Sequence, residues 1–591
     1  MSTNKPNIIF ILIDDMGWMD LTCQGSSFYE TPNIDALAKE GMRFTDAYAA
    51  CPVCSPTRAS ILTGKYPARL GLTNFIGGHA SGELLSVPYI HYLPLEEKSV
   101  ASALKDQGYN TFHVGKWHLG NMDYWPENHG FDENVGGCSW GSPAHGYFSP
   151  YGNPRLDDGP EGEYLTDRLT DEAISLIKGS KDEPFFLYMS YYSVHIPIQV
   201  PEAYKEKYEA KARALGLDKE KTFEDGDNFP TMHKHFLRIK RRLIQSDPAY
   251  AGMIEKLDEN IGRLTNALKH LGIDENTIIF FFSDNGGLST AESSPTCNFP
   301  LSEGKGWMYE GGTREPLIVR WSGKIKPGTT CTHPVTSTDF YPTMLEMANA
   351  PLLPDQHVDG VSIMPLLDQS GKPDRDAIFW HYPHYSNQGG TPGASIREGD
   401  YKLIEFFEDM HVELYDLRDD VEESNDLSDE LPEVVERLRA KLHAWRDEVN
   451  AAMPEKNPDW PYCLHESYVR VTGEMKVDEE GACCIHMQLT KENPMLYDVP
   501  IWEILEDYME APVLLKTSRG EAKVQLHVTD DGICVVKDIG TGEEHSLKDY
   551  LQSDIGSLTT VKAWLLQEGD EGYDPSIKGL VNVEAHEGPT D

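Results

Sequence analysis

Four short runs of the chain are almost wholly apolar and rich in β-branched and aromatic residues. They are Asn7–Ile13, Phe185–Ser190, Thr277–Ser283 and Leu317–Trp321. Apolar runs of this length, without polar alternation, are typical of strands that are buried on both faces of a sheet. Because amphipathic stretches lie between them, we predict an α/β domain whose central sheet is covered by helices.

The stretches between the runs predict helices. After Asp247, apolar residues recur at i, i+3 and i+4 as far as Leu268, with Pro248 in the first turn and Gly272 at the end. Residues 202–245 are rich in lysine, and we expect them to form a helical excursion on the surface.

The pattern changes near residue 371. Ser395–Arg397, Tyr401–Phe406 and Val412–Leu414 predict short strands, Glu433–Val449 predicts a helix, and Met453–Pro458 is typical of a linker. We therefore divide the chain into a catalytic α/β domain, a smaller subdomain of antiparallel strands and one helix, and an additional α+β extension, at residues 1–370, 371–460 and 461–591.

Charge and hydropathy exclude several kinds of partner. The chain has 52 Lys and Arg against 96 Asp and Glu, a net charge of −44, which repels nucleic-acid phosphates and anionic lipid. No stretch approaches the ~20 apolar residues of a membrane span, and Ile8–Ile13 is too short for a secretory segment. Ten irregularly spaced cysteines do not suggest a disulfide framework. We predict a cytoplasmic protein that binds neither nucleic acid nor membrane.

The segment Cys51–Gly64 carries the strongest local motif. A lone CxxC, here Cys51 to Cys54, suggests a redox or zinc site, but the chain has no second CxxC to complete a zinc site. Cys54 alone is equally typical of a buried core thiol. The run Cys54-Ser55-Pro56-Thr57-Arg58, followed after four residues by Thr63-Gly64, resembles the signature C-[ST]-P-[ST]-R-x4-T-G of the formylglycine-dependent sulfatases.

This resemblance implies a modified nucleophile at Cys54. In the family, a formylglycine-generating maturation enzyme oxidises this cysteine to an aldehyde. One hydroxyl of the hydrated aldehyde attacks sulfur, and the other later collapses to expel sulfate, which is covalent catalysis with a built-in release step. Arg58 would lie one helical turn from Cys54 and hold the hydrate and nearby anions.

Ligands for a hard cation follow two of the apolar runs. Asp14 and Asp15 come after the first run, and Asp284 and Asn285 come after the third. Active sites of α/β proteins collect at the carboxyl ends of strands, and carboxylate and amide oxygens suit Ca²⁺ or Mg²⁺ better than a soft metal. The resemblance assigns these four residues, with a hydrate oxygen of Cys54, as ligands of Ca²⁺, with Mg²⁺ as the alternative.

Three further blocks resemble the same family. Gly115–Gly120 is similar to its G-K-W-H-L-G block, Tyr191–Pro197 to its histidine-proline block, and Gly304–Arg314 to its G-K-x4-E-G-G-x-R block. Taken singly, each would be an ordinary surface lysine or core histidine. The resemblance gives them catalytic roles: Lys116 and Lys305 bind the sulfate, His118 acts as the base of the collapse step, and His195 is the general acid.

The blocks follow the family order, so the resemblance also implies a fold. The family has a large mixed central sheet between helices, as in alkaline phosphatase, with a smaller C-terminal antiparallel sheet. The resemblance covers about residues 5–450 and does not extend to residues 461–591.

The substrate is expected to contact aromatic and histidine-rich loops. We predict contacts from His79, Trp140, His145 and His384, which suit a sugar ring and an aryl group equally well. The sequence around Cys54 most resembles that of sulfatases that act on sulfated galactose or N-acetylgalactosamine. The alternatives are an aryl sulfate hydrolase, a phosphonate or phosphate ester hydrolase of the same superfamily, and a non-catalytic anion-binding protein in which Cys54 stays a thiol.

Overall fold

The computed structural model describes residues 5–231, 234, 237–458, 460 and 542, together with a set of strands beyond residue 470. The chain forms two compact units, Met1–Pro230 with Arg238–Lys456, and Thr231–Leu237 with Asn457–Asp591. The domain boundaries that we drew at residues 370 and 460 stay predictions.

The first unit contains fifteen strands. In chain order they are β1 (Asn7–Ile13), β2 (Met42–Tyr48), β3 (Asn110–Gly115), β4 (Glu133–Val135), β5 (Phe185–Ser190), β6 (Phe223–Asn228), β7 (Arg238–Arg242), β8 (Thr277–Ser283), β9 (Arg314–Trp321), β10 (Thr329–Cys331), β11 (Val335–Thr336), β12 (Ile378–Tyr382), β13 (Gly393–Glu398), β14 (Tyr401–Phe406) and β15 (Val412–Asp416).

Its α-helices lie mainly between the strands. They are α1 (Pro32–Glu40), α2 (Cys54–Thr63), α3 (Pro67–Leu70), α4 (Val100–Lys105), α5 (Leu165–Gly179), α6 (Glu202–Leu215), α7 (Pro248–Leu271), α8 (Glu310–Thr313), α9 (Phe340–Met347), α10 (Met364–Leu367) and α11 (Pro432–Glu448). The second unit is described only through strands, β16 (Gly473–Val477), β17 (Cys483–Gln488), β18 (Leu496–Pro500), β19 (Pro512–Thr517), β20 (Gly520–Val528), β21 (Cys534–Asp538), β22 (Glu544–Ser546), β23 (Thr559–Leu565) and β24 (Val581–Glu587).

The central sheet has the strand order β10-β2-β9-β8-β1-β5-β3-β4, with β11 paired to β2. Its inner strands run parallel, whereas β9 pairs antiparallel with both β2 and β8. Strand β1 is buried along its whole length. Its odd residues, such as Ile9, pack with α1, α5 and α7, and its even residues, such as Phe10, pack with α2, α4 and α9. The sheet is therefore covered on both faces.

The predicted fold class is confirmed. A large mixed sheet lies between helices, and β12-β13-β14-β15 form a separate four-stranded antiparallel sheet. Three of the four apolar runs coincide with β1, β5 and β8, and β9 begins earlier than predicted, at Arg314. The predicted α+β extension, residues 461–591, lies for the most part outside the described residues.

One prediction about local structure is wrong. Residues 202–245 are not helical throughout, because α6 ends at Leu215, where Gly216 caps it with φ 76°. The hairpin β6–β7 follows, and its charged, largely exposed side chains had suggested a solvated helix. Among the described residues, the helices are all too short or too polar to cross a membrane.

Candidate active site

Four strands of the central sheet bring the predicted site residues together at their carboxyl ends. Asp14 directly follows β1, Asp284 follows β8, and Lys116 follows β3. The backbone fixes this register, since the Asp284 N–H donates to Ile13 O at 3.0 Å and the Lys116 N–H donates to Ser190 O at 2.8 Å. The site therefore lies where ligands bind in open α/β sheets.

Helix α2 begins at Cys54 and places Arg58 one turn further on. Arg58 is 1% exposed. Its Nε donates to Asp284 Oδ2 at 2.8 Å, and one terminal nitrogen donates to Lys116 O at 3.0 Å and Ser190 Oγ at 2.6 Å. Through these contacts Arg58 ties α2 to the ends of three strands and fixes the position of Cys54.

The sulfur of Cys54 lies against a histidine. Cys54 Sγ is 3.3 Å from His118 Nδ1, and Ser55 Oγ is 3.2 Å from the same atom. His118 Nε2 lies 3.1 Å from Ile76 O, which can only accept, so Nε2 carries the proton and Nδ1 presents its lone pair to Cys54. Burial lowers the pKa of His118 well below its ordinary value, and the nearby Lys116 adds to this effect.

A glycine lets the neighbouring loop approach this histidine. A Cβ on Gly141 would lie 2.7 Å from His118 Cε1, closer than real side chains allow. Trp140 directly precedes Gly141, and its ring centroid lies 6.0 Å from that of His145. Two of the four predicted substrate contacts therefore lie together on the loop that packs against His118, and their contact with substrate stays a prediction.

The two predicted sulfate-binding lysines face the aspartates. Lys116 Nζ donates to Asp14 Oδ1 and Oδ2 at 2.9 and 2.8 Å. Lys305 Nζ donates to Asp15 Oδ2 at 2.9 Å and lies 3.2 Å from His195 Nε2. Burial alone would raise the pKa of Asp15, but Lys305 and the other cations lower it below the ordinary range. Asp15 is therefore ionised at neutral pH.

His195 is neutral in this setting. Its Nδ1 lies 2.9 Å from Ile196 O, so Nδ1 carries the proton and Nε2 accepts from Lys305. Burial lowers the pKa of His195 to about 3. The ammonium of Lys305 therefore bridges a carboxylate and an imidazole.

The site fits a hard cation. Asp14, Asp15 and Asp284 are at most 1% exposed. Asn285 Nδ2 donates to Asp15 Oδ1 at 2.8 Å, whereas Asn285 Oδ1 is buried and has no hydrogen-bond partner among the described residues. An unpaired buried amide oxygen beside carboxylates is a donor set suited to Ca²⁺ or Mg²⁺. Within the described part of the chain, ligand atoms of Asp14, Asp15 and His195 also lie within 4.8 Å of one another.

The unmodified thiol of Cys54 is a weak nucleophile here. Burial raises its pKa, because the two nearby lysines do not compensate fully for desolvation of the thiolate. A protonated thiol of this kind does not attack an ester efficiently.

The other two predicted substrate contacts belong to a separate aromatic cluster. His79 lies 6.1 Å from the ring of Tyr89, which in turn lies 5.2 Å from His384. His384 is 1% exposed, and its Nε2 is 2.8 Å from Thr73 Oγ1. In this structure His384 supports a loop rather than lining an open surface, and its contact with substrate stays a prediction.

Sequence reasoning missed several residues that shape the site. Ser55 contacts His118, and Ser190 holds Arg58. The carbonyl of Ile76 sets the tautomer of His118, and Gly141 makes room for its ring. Ser55 lies inside the motif and could have been found there, but the others depend on long-range contacts that leave no local signal.

The fold and the buried site are those of a sulfuric ester hydrolase. The chain belongs to the sulfatase family: the Sulfatase family model matches residues 6–350. A second model, N-sulphoglucosamine sulphohydrolase, C-terminal, matches residues 303–448.

Individual relatives agree with this assignment. The chain is 33% identical over 531 residues to a sulfatase of Formosa agariphila, covering 76% of this chain and 90% of that protein. It is 31% identical over 422 residues to N-acetylgalactosamine-6-sulfatase of Mus musculus, covering 67% and 71%. The crystal structure of Ps i-CgsB in complex with k-i-k-neocarrahexaose superposes with a TM-score of 0.60 at 30% identity, covering 75% of this chain and 93% of that one.

Proposed function

We propose that the protein hydrolyses an O-sulfate ester on galactose or N-acetylgalactosamine of a sulfated glycan, with formylglycine at position 54 and Ca²⁺. The observation that carries this proposal is the contact of Cys54 Sγ with His118 Nδ1 at 3.3 Å, in a site with two buried lysines whose charges act on Cys54. The similarity to an N-acetylgalactosamine-6-sulfatase and to Ps i-CgsB, crystallised with k-i-k-neocarrahexaose, supports the choice of sugar.

The cation would be held by Asp14, Asp15, Asp284 and Asn285, the set with the unpaired amide oxygen. When present, the formylglycine hydrate supplies the hydroxyl that attacks sulfur, and the cation supplies positive charge beside it. A maturation enzyme is needed to produce formylglycine from Cys54.

His118 accepts a proton from residue 54. Its Nε2–H is fixed on Ile76 O, so Nδ1 is left as an acceptor directed at residue 54. Because burial keeps the imidazole neutral, His118 can take a proton at Nδ1 without first losing one.

His195 and Lys305 act on the leaving group. In this tautomer His195 Nε2 carries no proton and accepts from Lys305 Nζ at 3.2 Å, so the predicted general-acid role of His195 requires a proton to be taken up at Nε2 first. The charged Lys305 stabilises the negative charge that develops on the leaving oxygen. Asp15 keeps Lys305 charged, since its carboxylate raises the pKa of that lysine against the effect of burial.

Lys116, Lys305 and Arg58 hold the sulfuryl group. All three are buried, and charges in a dry site interact far more strongly than in water. Local charge therefore overcomes the diffuse repulsion of a protein with a net charge of −44.

Mass spectrometry of the tryptic peptide Phe44–Arg58 tests the nucleophile. In protein from its own host we expect residue 54 to have lost sulfur and two hydrogens and gained one oxygen. A peptide that carries only the thiol would contradict the proposal and favour an anion-binding protein.

A substrate panel tests the reaction. We expect sulfate release from sulfated galactose or N-acetylgalactosamine to exceed, in kcat/KM, hydrolysis of an aryl sulfate and of a phosphonate monoester. Faster turnover of the aryl sulfate would assign an arylsulfatase, and faster turnover of the phosphonate would overturn sulfate specificity.

A further inference from the structure

A second cavity lies one loop away from the active site. Its volume is about 330 Å³, at the lower end of the range for small-molecule sites, about 300–1,000 Å³. Its walls come from the hairpin β6–β7, the loop before α8 and the antiparallel sheet. The side chains that matter below are Asp227, Arg241, Glu303, Trp307, Tyr309 and Tyr415. The residues of the candidate active site do not line it.

Three aromatic side chains line the cavity with their polar atoms already engaged. Trp307 Nε1 lies 3.1 Å from both Thr290 Oγ1 and Gln388 O. The hydroxyls of Tyr309 and Tyr415 both donate to Glu413 Oε2 at 2.8 Å. These side chains therefore present the carbon atoms of their rings to a ligand. Such a surface suits the apolar C–H face of a sugar ring.

Charged side chains form another part of the lining. Arg241 Nε donates to Glu303 Oε1 at 2.7 Å, and Glu303 Oε2 has no hydrogen-bond partner among the described residues. Asp227 adds a second carboxylate from the exposed end of β6. Carboxylates and a guanidinium, arranged beside aromatic rings, provide acceptors and donors for neighbouring hydroxyl groups.

The charges select against ions of either sign. The three carboxylates that line the cavity, those of Asp227, Glu303 and Glu423, outnumber the Arg241 guanidinium, so a sulfate or carboxylate group would be repelled. The place of a cation over the Trp307 ring is already filled, since the Arg241 guanidinium lies 5.8 Å from its centroid. Among the described residues, this cavity also lacks the close cluster of ligand atoms that a metal needs. A neutral, hydroxyl-rich ligand fits this lining.

Gly389 keeps the cavity open. Its φ of +106° favours glycine, and a Cβ there would lie 2.6 Å from Ile239 Cδ1 and 2.9 Å from Trp307 Cζ2. Any side chain at this position would displace the indole that forms the wall.

We propose that this cavity binds an unsulfated sugar residue of the glycan whose sulfated residue occupies the active site. Lys305 stands between Glu303 and Trp307 on one loop, and two residues span at most about 7 Å, so the two sites are close enough for neighbouring parts of one chain. The inference rests on the proposed function for the identity of the sugar, but the binding can be tested without any sulfatase activity.

The test is calorimetric titration of the full-length protein with an unsulfated tetrasaccharide of galactose units. We expect wild type to bind it, and Trp307→Ala and Asp227→Ala each to bind it about tenfold more weakly. Because Asp227 is exposed, its variant should fold normally. It therefore tests the cavity even if loss of Trp307 disturbs folding. Trp321→Ala is the matched control, because Trp321 also has a cation, Lys324, 5.9 Å from its ring centroid. It should bind as wild type does.

The kinetic counterpart is the ratio of kcat/KM for a sulfated tetrasaccharide to that for the sulfated monosaccharide. We expect this ratio to fall about tenfold in Asp227→Ala and to stay unchanged in Trp321→Ala.

If the monosaccharide sulfate is hydrolysed but the neutral tetrasaccharide does not bind, the cavity proposal is overturned and the proposed function stands. If the tetrasaccharide binds while no sulfated sugar is hydrolysed, the proposed function fails and the cavity proposal stands. Binding of choline instead of the sugar would overturn the cavity proposal in favour of a cation site.

Discussion

Two clusters of buried charge share the segment from Lys305 to Arg314. The site cluster consists of Asp14, Asp15, Asp284, Arg58, Lys116 and Lys305. The brace cluster consists of Asp46, Glu310, Glu423, Arg314, Arg397 and Lys402. Each contains three carboxylates and three cations, and every member is at most 9% exposed. By charge and burial alone the two clusters are alike.

They differ in the groups that border them. In the brace cluster, Lys402 Nζ donates to Glu310 and Glu423 at 2.9 Å each, and the second Glu423 oxygen accepts the Glu310 N–H at 2.6 Å. The second Glu310 oxygen accepts from Tyr48 at 2.8 Å, and Arg314 and Arg397 meet on Asp46. Each carboxylate oxygen of this cluster thus has a partner.

The carboxylate oxygens of the site cluster are paired too, but this cluster borders groups of another kind. It adjoins the unpaired Asn285 Oδ1, and two neutral histidines, His118 and His195, border it. Spare acceptors and neutral imidazoles have no structural use in a cluster that is already charge-balanced, but they are what cation binding and proton transfer need. The two neutral histidines and the amide oxygen, rather than buried charge, therefore set the site cluster apart from the brace cluster.

The largest effect should come from Cys54→Ala. Removing the nucleophile is expected to lower kcat by a factor of roughly 10⁴ or more, with little change in the melting temperature. Sulfate release and thermal unfolding are measured on the same preparation. Retention of more than a few per cent of the activity would show that residue 54 is not the nucleophile.

Lys402→Met should lower stability and leave the activity of folded molecules unchanged. It leaves Glu310 and Glu423 buried without their shared cation, which typically costs about 3–5 kcal/mol of unfolding free energy. Activity per folded molecule should survive, because Lys402 contacts no predicted catalytic residue among the described contacts. Denaturant unfolding and active-site titration separate the two quantities. If the variant were fully stable but inactive, the division into site and brace would be wrong.

Lys305→Ala should lower both kcat/KM and stability. It removes one donor from the reacting sulfuryl group, which typically costs about 10²–10³ in kcat/KM. Among the described residues, the side-chain contacts that the Asp15 carboxylate then keeps are those with Asn285 and His195, so some loss of stability accompanies the loss of rate. Lys326→Ala, at an exposed lysine, is the control for removal of charge. A loss of stability without a loss of rate would move Lys305 into the brace cluster.

The sequence predicts some parts of this molecule well because the governing forces are local. Strands β1, β5 and β8 match their apolar runs because they are buried on both faces. The residues of the site cluster are recognisable because each lies in a short motif. The hairpin β6–β7 was missed because its charged residues carry no apolar period, and β9 was predicted too short because polar residues open it.

The unpredicted parts of the site depend on contacts between distant segments. Ile76 and Gly141 act on His118 from other loops, and neither has a residue type that signals a function. The same holds for Lys402, which lies 92 positions from Glu310 in the chain. Only the tertiary structure reveals which buried charges are fully paired.

Asp20 differs from the carboxylates of both clusters, because it is buried and held by neutral donors rather than by cations. It accepts from Tyr250 Oη at 2.6 Å, Thr296 Oγ1 at 2.7 Å and the Gly17 N–H at 2.9 Å. Burial raises its pKa to about 6, above the ordinary value of 3.8, so the folded state holds a proton on Asp20 that the unfolded state releases. This contribution to stability is present below about pH 4 and is lost as the pH rises through 6.

Asp20→Asn should remove this dependence on pH. Between pH 4 and 7, wild type is expected to lose at most about 3 kcal/mol of unfolding free energy that the variant does not lose. Urea unfolding of both proteins across this range gives the difference, in which the titration of other groups, such as the buried Asp258, cancels. Parallel curves would mean that Asp20 stays ionised in the fold. Neutral donors would then stabilise a buried carboxylate as well as the cations of the two clusters do, and pairing with cations would no longer set those clusters apart.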